Sequence, residues 1–454
     1  MPISNTFSEI NALSGIPRGG RIHFIGIGGV GMCALAMLAQ DMGYSVTGSD
    51  RSEGENIAAL RKRGISVTVG VFSPFFGANA AVYTLAIDET DENLIYARNS
   101  KIPLFSRADF LGLLGDFFPV RIGIAGMHGK STVTAMVADI LTAAGKEPTV
   151  LCGARMADGA VYRKGGGEVL LYEACEYRDS FLATRPTIPV VLNLDYDHPD
   201  WFSDMEDVKR SFSRYLRKPS VTCAVVNGED RELATVLQGV ADPILRYGEG
   251  MAVAATEQTA DAFPAFSLRI AGETVGLIRL SVKGAHNVQN ALAAAAACTA
   301  VGVLPKDICR ALRDFRGLHR RMELLGIRNG ISVYDDYAHH PTELKAAIAA
   351  ARGEKGRLFC VFQPHTYSRT AALMDAFCDA LRLCDECAVM ETYAAREKEN
   401  PHASGKALSR ACGGVYIEDA KTGGQWIKER VRAGDTVLLA GAGDVFRVWD
   451  FFGK

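Results

Sequence analysis

The sequence has almost no net charge and no long hydrophobic run. Its 50 lysines and arginines nearly balance its 52 aspartates and glutamates, which leaves a formal net charge of −2. This balance leaves no excess of positive charge that would attract nucleic acid or an anionic membrane, so neither is expected as a partner. The most apolar stretch, residues 291–303, is too short and too rich in alanine to cross a bilayer. We interpret it as a helix packed in a core.

Secretion signals and a disulfide pattern are also missing. The first ten residues, MPISNTFSEI, lack a basic segment followed by an apolar one. The eleven cysteines are odd in number and scattered, which argues against a disulfide framework and favours a reducing cytoplasm. Cys384 and Cys387 have metal or redox spacing, but no second such pair follows. We interpret both as ordinary core or surface thiols.

The chain alternates strand-like and helix-like segments in three successive units. Its 454 residues suit about three domains at about 150 residues each. Strand–turn–helix starts lie near residues 22, 120 and 330. Such alternation favours parallel, doubly wound sheets. We therefore predict three consecutive α/β domains, over residues 1–118, 119–319 and 320–454.

A glycine-rich turn opens the first domain. Residues 26–31 read GIGGVG between a strand and a helix, and Asp50 ends the following strand. Glycines at these offsets let the backbone approach a phosphate at the N-terminus of the helix, and Asp50 could accept a ribose hydroxyl. Taken alone, the pattern indicates a dinucleotide such as NAD.

A second phosphate loop opens the central domain. It comprises Gly126, Met127, His128, Gly129, Lys130, Ser131 and Thr132. Gly-Lys-Ser at a strand-to-helix turn places an ammonium on the β- and γ-phosphates and a hydroxyl on Mg²⁺. Ile124 stands where the full Walker pattern has glycine, but the position between a strand and a helix supports a P-loop ATPase-type domain.

Histidines and one carboxylate complete the pattern. Glu173 closes an apolar strand and is a natural Mg²⁺ ligand in a domain with a phosphate loop. Seven of the nine histidines lie in polar clusters: His128, His198, His286, His319, His339, His340 and His365. Several of these clusters are at apparent strand ends. Ligands of open α/β sheets bind beyond the carboxyl ends of strands, so the pattern indicates one cleft.

These motifs together resemble the Mur ligases, the ATP-dependent amide-forming enzymes of peptidoglycan precursor synthesis. The resemblance runs from about residue 22 to about residue 443. The segments that carry it are IHFIGIGGVGMCALA, GSD, IAGMHGKSTVTAM, EACEYRDSFL, NLDYDHPDWF, GAHNVQNALAA, FRGLHRRMELLG, VYDDYAHHPTEL, VFQPHTYSRT and AGAGD.

The resemblance implies Rossmann-like first and last domains around the ATP-binding domain. It implies that the first domain binds the UDP part of a sugar nucleotide, not NAD, and that the last brings the amino acid. The alanine-adding member is the most similar, which implies UDP-N-acetylmuramate and L-alanine as substrates, ATP and Mg²⁺, and a monomer or weak homodimer. The implied substrate-binding residues are Gly28, Gly29, Val30, Gly31, Asp50, Arg107, Tyr337, His339, His365 and Arg369.

The resemblance also assigns roles at the nucleotide. Lys130 would hold the β- and γ-phosphates, and Ser131, Glu173 and His198 would hold or orient Mg²⁺. The remaining nucleotide-binding residues would be His286, Asn287, Asn290, Arg321 and Asp336 with the phosphate loop. The implied catalytic residues are Lys130, Glu173, His198, Arg321, Asp336 and His339. His339, or a group it orients, would take the proton from the alanine ammonium.

Some positions depart from the family pattern, and three alternatives stay open. Thr366 stands where some members carry arginine, so binding of the alanine carboxylate would depend more on Arg369. The nearest alternative is a ligase that attaches a recycled tripeptide to the same sugar nucleotide. The second is an NAD-dependent oxidoreductase, which leaves GMHGKST and HNVQN unexplained. The third is an inactive relative that binds only the UDP-sugar.

Overall fold

The structure is a computed structural model that describes residues 16–259, 261–353, 355–395 and 397–452. Within this part of the chain, three β-sheets follow one another, each with helices on its faces. The prediction of three consecutive α/β domains is confirmed. We propose the domain boundaries after residues 118 and 319.

The first domain has a parallel five-stranded sheet in the order β3-β2-β1-β4-β5. Its elements are β1 (Arg21–Ile25), α1 (Val30–Asp41), β2 (Ser45–Asp50), α2 (Glu55–Lys62), β3 (Ser66–Val69), β4 (Ala80–Tyr83), α3 (Glu92–Asn99), β5 (Leu104–Ser106) and α4 (Arg107–Gly115). The glycine-rich turn joins β1 to α1, with Gly29 as the residue that caps the helix. The turn therefore lies at the carboxyl end of the central strand.

The central domain is built on a ten-stranded sheet in the order β15-β14-β13-β12-β11-β10-β6-β9-β7-β8. Its elements are β6 (Val120–Ala125), α5 (Lys130–Ala143), β7 (Thr149–Leu151), β8 (Tyr162–Arg163), β9 (Val169–Glu173), β10 (Ile188–Val191), α6 (Met205–Leu216), β11 (Ala224–Asn227), α7 (Arg231–Val236), β12 (Ile244–Tyr247), β13 (Val253–Thr256), β14 (Ala265–Ile270), β15 (Glu273–Arg279), α8 (His286–Ala300) and α9 (Pro305–Asp314). Strand β6, which leads into the phosphate loop, lies between β10 and β9. The loop is thus flanked by the ends of both neighbours.

The C-terminal domain has a six-stranded sheet in the order β16-β17-β21-β18-β19-β20, with β16 antiparallel. Its elements are β16 (Glu323–Arg328), β17 (Ile331–Asp336), α10 (Pro341–Ala351), β18 (Leu358–Phe362), α11 (Tyr367–Ala372), α12 (Met374–Leu381), β19 (Glu386–Met390), α13 (Gly405–Cys412), β20 (Val415–Ile417), α14 (Ala420–Arg430), β21 (Thr436–Ala440) and α15 (Val448–Phe452). Asp336 ends β17 and Phe362 ends β18, the two strands that flank β21, and Asp336 lines a cavity shared with the central domain.

The apolar cores show how the domains are joined. Buried side chains of the first domain, such as Phe110 and Leu114, belong to the same cluster as Tyr172 and Phe181 of the central domain. The two apolar clusters of the C-terminal domain contain residues of that domain alone. Its contacts with the central domain at the site described below are polar. The alanine-rich segment forms the buried helix α8, as expected, and no helix in the described ranges is long and apolar enough to span a membrane.

Candidate active site

The phosphate loop is fixed by side chains from two other elements. Gly126 and Gly129 have φ angles of +135° and +86°, the region that favours glycine. A Cβ on Gly129 would lie 2.6 Å from Oδ1 of Asn290 on α8. Asn193, just beyond β10, accepts a hydrogen bond from the His128 amide at 2.9 Å and donates to its carbonyl at 3.1 Å. Asn193 therefore holds the loop backbone at His128, and Asn290 leaves no space for a side chain at position 129.

Lys130 is the cation of this loop. Its Nζ donates to the carbonyl oxygens of Gly126 at 2.6 Å and Met127 at 3.1 Å, and lies 3.0 Å from Oε2 of Glu176. Burial alone would lower the pKa of Lys130, but the Glu176 carboxylate raises it above its ordinary value. Burial would likewise raise the pKa of Glu176, yet Lys130 and His198 lower it to about 2. Both groups are charged at neutral pH.

The candidate metal ligands lie in two places. His198 Nε2 is 3.2 Å from Oε1 of Glu176, beside Lys130. Ser131 is buried in the first turn of α5. Glu173 accepts hydrogen bonds from the Gly153 amide and the Cys152 thiol instead. The structure therefore brings Lys130 and His198 together around Glu176, a carboxylate to which the sequence assigned no role.

A cavity of about 340 Å³ extends from the phosphate loop to the C-terminal domain. Its lining includes these predicted nucleotide-binding residues: His128, Gly129, Thr132, His286, Asn287, Asn290, Arg321 and Asp336. Buried Arg321 Nε has no hydrogen-bond partner among the described residues, so one donor on the guanidinium is available to a ligand in the cavity. Asp336 accepts from the amides of Met322 and Ala338, both at 2.8 Å, and thereby anchors the end of β17.

His128 connects the loop to the C-terminal domain. Its Nε2 is 2.9 Å from Oδ2 of Asp195, and its Nδ1 is 3.2 Å from Oε1 of Glu343 on α10. Burial alone would lower the pKa of His128, but these two carboxylates raise it to about 9. A proton on each ring nitrogen satisfies both carboxylates. Thr342 Oγ1 also donates to Asp195 at 2.7 Å. Two contacts, His128 with Glu343 and Asp195 with Thr342, therefore join the central domain to the C-terminal domain here.

This contact predicts a specific pH dependence. The pKa of His128 is above its unfolded value of 6.5, so its stabilisation is complete below about pH 6.5 and is lost as the pH rises through about 9. A shift of this size corresponds to about 3 kcal/mol. We expect the thermal midpoint to fall by a few degrees more between pH 7 and 9.5 in the wild type than in His128→Gln. His402→Gln, at an exposed site, is the control and should behave as the wild type does. Equal slopes in all three proteins would contradict this assignment.

The predicted amino-acid-binding residues form a second cluster next to the cavity. The His339 ring centroid is 5.5 Å from that of Tyr337 and 5.9 Å from that of His365. Burial lowers the pKa of His339 to about 4, so the ring is neutral. Its Nδ1 lies 3.1 Å from the carbonyl oxygen of Tyr337, which requires the proton on Nδ1 and leaves Nε2 as the acceptor.

Arg369 in this cluster is bound to the central domain. Its Nε and Nη2 lie 2.8 and 3.2 Å from the two oxygens of Asp197, and each side chain is 6% exposed. Its Nη1 contacts His365 Nδ1 at 3.2 Å. Burial alone would raise the pKa of Asp197, but the Arg369 guanidinium holds it well below the usual range. Arg369 therefore joins the two domains as well as lying beside the candidate alanine site.

The residues predicted in the first domain surround its glycine turn. The amide of Gly28 donates to Asp50 Oδ2 at 2.7 Å, so this carboxylate holds the turn as well as lining the cleft beside it. A second cleft of about 310 Å³ is shared with the central domain. Its lining includes Gly29, Val30, Gly31, Arg107 and Glu173. The structure thus places Glu173 opposite the candidate diphosphate site.

Four acidic residues of the site received no role from the sequence: Glu176, Asp195, Asp197 and Glu343. All four lie inside the segments EACE, LDYDH and HHPTE, which were singled out for their neighbours. The available indication was the density of carboxylates beside histidines in those segments. Their partners lie up to 215 residues away along the chain, so spacing alone could not identify them.

Comparison with known proteins gives a consistent result over most of the chain. Residues 21–119 match the catalytic domain of the Mur ligase family, residues 124–298 match the Mur ligase middle domain, and residues 320–443 match the glutamate ligase domain of Mur ligases.

Individual relatives and solved structures agree with this. The UDP-N-acetylmuramate–L-alanine ligase of Clostridium acetobutylicum is 36% identical over 95% of this chain and 97% of its own. That of Caldanaerobacter subterraneus subsp. tengcongensis is 37% identical over the same shares. The crystal structure of UDP-N-acetylmuramate–alanine ligase from Thermotoga maritima is 27% identical, with a TM-score of 0.80 over 95% of this chain and 98% of that one. A murein peptide ligase from Psychrobacter arcticus is 25% identical, with a TM-score of 0.75 over 96% and 98%.

Proposed function

Since this chain belongs to the Mur ligase family, we propose that it acts as a UDP-N-acetylmuramate–L-alanine ligase in peptidoglycan precursor synthesis. The enzyme uses ATP to join L-alanine to the lactyl carboxylate through an acyl phosphate. The observation that carries this conclusion is the 36–37% identity to ligases of that name over 95% of the chain.

The site supports a division of labour among the domains. The glycine turn before α1 would bind the UDP diphosphate, because a helix N-terminus presents free amides and a partial positive charge. The cleft lined by Arg107 and Glu173 would lead the sugar toward the phosphate loop. ATP would occupy the cavity that contains Asn290 and Arg321, and alanine would bind beside His339 and Arg369.

The reaction has two steps. The lactyl carboxylate attacks the γ-phosphate of ATP, and charge accumulates on the transferring phosphoryl oxygens. Lys130, which is protonated and buried, stabilises this charge together with Arg321. The neutral amine of alanine then attacks the acyl phosphate, and phosphate leaves. We propose the acceptor Nε2 of His339 as the group that takes the ammonium proton.

The residues around Lys130 fit a magnesium ion. Oε2 of Glu176 is a buried carboxylate oxygen that faces the Lys130 ammonium at 3.0 Å, in an ion pair whose geometry is not that of a hydrogen bond. The Ser131 hydroxyl and His198 complete a set of donors in which oxygen, the element that Mg²⁺ prefers, predominates. Ser131, Glu176 and His198 would hold the ion, with Glu173 as a further ligand on the sugar side. When bound, the ion would neutralise charge on the β- and γ-phosphates.

The two glutamates should therefore differ in their effect on magnesium. Glu176→Gln removes the carboxylate that contacts both Lys130 and His198, so we expect the Mg²⁺ concentration for half-maximal activity to rise at least about tenfold. Glu173→Gln is the matched substitution at the end of β9, and it should raise the KM for the sugar nucleotide more than the Mg²⁺ requirement. The reverse order of effects would refute the placement of the ion at Glu176.

The substrate assignment is tested by phosphate release from ATP. The purified protein should release phosphate with UDP-N-acetylmuramate and L-alanine together, and not with either alone. The same assay with the tripeptide in place of alanine distinguishes the alanine-adding ligase from the tripeptide-recycling ligase. Turnover with the tripeptide that exceeds turnover with L-alanine would overturn the assignment. We place the reaction in the cytoplasm and propose a monomer or weak homodimer.

A further inference from the structure

The C-terminal domain contains a group of cysteines that the ligase reaction does not use. Five of the eleven cysteines belong to the apolar cluster on one face of its sheet. They are Cys360, Cys378, Cys384, Cys387 and Cys412. Cys360 and Cys387 are direct neighbours on the paired strands β18 and β19. The spacing between Cys384 and Cys387 that the sequence shows thus lies inside a larger group of thiols.

Two of these sulfurs face the same glycine. Cys387 lies in β19, Cys412 ends α13, and Gly414 immediately precedes β20, which pairs with β19. A Cβ on Gly414 would lie 2.8 Å from Sγ of Cys387 and 3.2 Å from Sγ of Cys412. The two sulfurs therefore share one contact surface. Any side chain at position 414 would crowd both of them.

The two thiols are chemically unequal. The hydrogen bond from the Cys387 thiol lowers the pKa of Cys412 to about 7, against burial and with help from the Gly414 amide. The same hydrogen bond, followed by burial, raises the pKa of Cys387. These directions assign Cys412 as the attacking thiol and Cys387 as the partner that keeps its proton, and on ionising Cys412 gives up the hydrogen bond that it donates to the Ser409 carbonyl at 3.5 Å.

A small molecule can reach this pair. A surface cavity of about 230 Å³ is lined by both cysteines, together with Cys384, Arg382 and Trp426. Cys387 is partly exposed, and Cys412 is 8% exposed. Reactive thiols have this combination of partial access and a neighbouring hydrogen-bond donor.

The arrangement suits a dithiol better than a metal centre. Structural zinc sites need four converging ligands, commonly thiolates and imidazoles. Within the described ranges, no three of these cysteine sulfurs come within 4.8 Å of one another. Two adjacent thiols of different acidity are what thiol–disulfide exchange requires.

We propose that Cys387 and Cys412 are a redox-active dithiol that closes to a disulfide by exchange with a low-molecular-weight disulfide. The Cys412 thiolate attacks one sulfur of that molecule, forms a mixed disulfide and releases one thiolate. The released thiolate takes up the proton of Cys387, whose sulfur then attacks the Cys412 sulfur and releases the second thiolate. That thiolate takes from water the proton that Cys412 gave up on ionising. Overall the protein loses two protons and two electrons, and the small disulfide becomes two thiols.

The test uses the reduced full-length protein in glutathione buffers of graded ratio, followed by acid quenching and intact mass measurement. The expected result is a loss of two mass units. Tryptic cleavage after Arg410, combined with cleavage after Glu386, separates Cys384 from Cys387 and should yield one peptide pair joined through Cys387 and Cys412.

Three variants sharpen this result. Cys387→Ser and Cys412→Ser should each abolish the loss of two mass units. Cys384→Ser is the matched control, because Cys384 is the neighbouring cysteine in the sequence, and it should retain that loss. Three outcomes would each overturn the proposal. They are a bond between Cys384 and Cys387, a stable glutathione adduct on wild-type Cys412 without ring closure, and one bound zinc per chain in the reduced protein. The mass readout is independent of ligase activity, so it is unaffected if the proposed function fails.

Discussion

Lys130→Ala should lose at least about three orders of magnitude in alanine-dependent phosphate release while the protein stays folded. In the proposed mechanism the ammonium is the cation that the loop would present to the transferring phosphoryl group, and it is held by two loop carbonyls and Glu176. Without it, charge on the phosphoryl oxygens is left without its nearest protein cation. The rate is measured with saturating UDP-N-acetylmuramate and L-alanine, and folding by circular dichroism.

The control for this variant is Lys306→Ala, at an exposed position of the same domain. It should keep the wild-type rate, which shows that loss of one lysine charge has no general effect. Near-normal phosphate release by Lys130→Ala would refute the placement of ATP at this loop. If the circular dichroism spectrum shows that Lys130→Ala is unfolded, Lys130→Met takes its place in the assay, because it keeps the aliphatic stem and removes only the charge.

Arg369→Met should be the most disruptive change at the contact between the central and C-terminal domains. It leaves the Asp197 carboxylate buried at 6% exposure without its guanidinium, and breaking a buried pair on one side costs about 3–5 kcal/mol. We expect a drop in thermal midpoint of several degrees and a fall of about 10²-fold or more in kcat/KM for alanine.

A double-mutant cycle separates the two roles of Arg369. Combined Asp197→Asn and Arg369→Met removes the unpaired charge, so the thermal midpoint should recover relative to Arg369→Met alone, with a coupling of about 2–3 kcal/mol. Activity should not recover, because the guanidinium beside His365 is still missing. The exposed pair Arg382 and Asp379 is the matched control, and the same exchanges there should change stability little. Additive effects at positions 369 and 197 would contradict the pairing.

Local patterns predicted most of the fold. The alternation of strands and helices identified the strand–turn–helix starts at β1, β6 and β17, and the motifs placed strand ends at Asp50 and Glu173, where β2 and β9 end. Several strands that the sequence did not indicate are short or lie toward sheet edges: β7, β8, β12, β13, β16 and β20. Short strands form because neighbouring strands offer free backbone groups, and this is tertiary context that a window of sequence does not contain.

In the active site, too, some residues could be predicted from the sequence and others are seen only in the structure. The sequence indicated Lys130 through its phosphate loop and His198 through its polar cluster, and the resemblance to Mur ligases implied Asn290 and Arg321. It chose Glu173 as the metal ligand from the strand end, whereas the structure turns that carboxylate to Gly153 and places Glu176 beside Lys130. The two glutamates are three positions apart in the chain, and the two residues with positive φ that follow them, Arg178 and Asp179, are not glycines.

The order of three α/β units, the two glycine-containing turns between a strand and a helix, and the presence of a lysine and a hydroxyl at a helix N-terminus could all be predicted from the sequence. These features depend on backbone geometry over a few adjacent residues. The tertiary structure alone decided that His128 meets Glu343 across 215 residues, and that Cys412 comes to share Gly414 with Cys387. Such contacts depend on strand order and domain packing, which bring distant segments together and are set by burial over the whole chain.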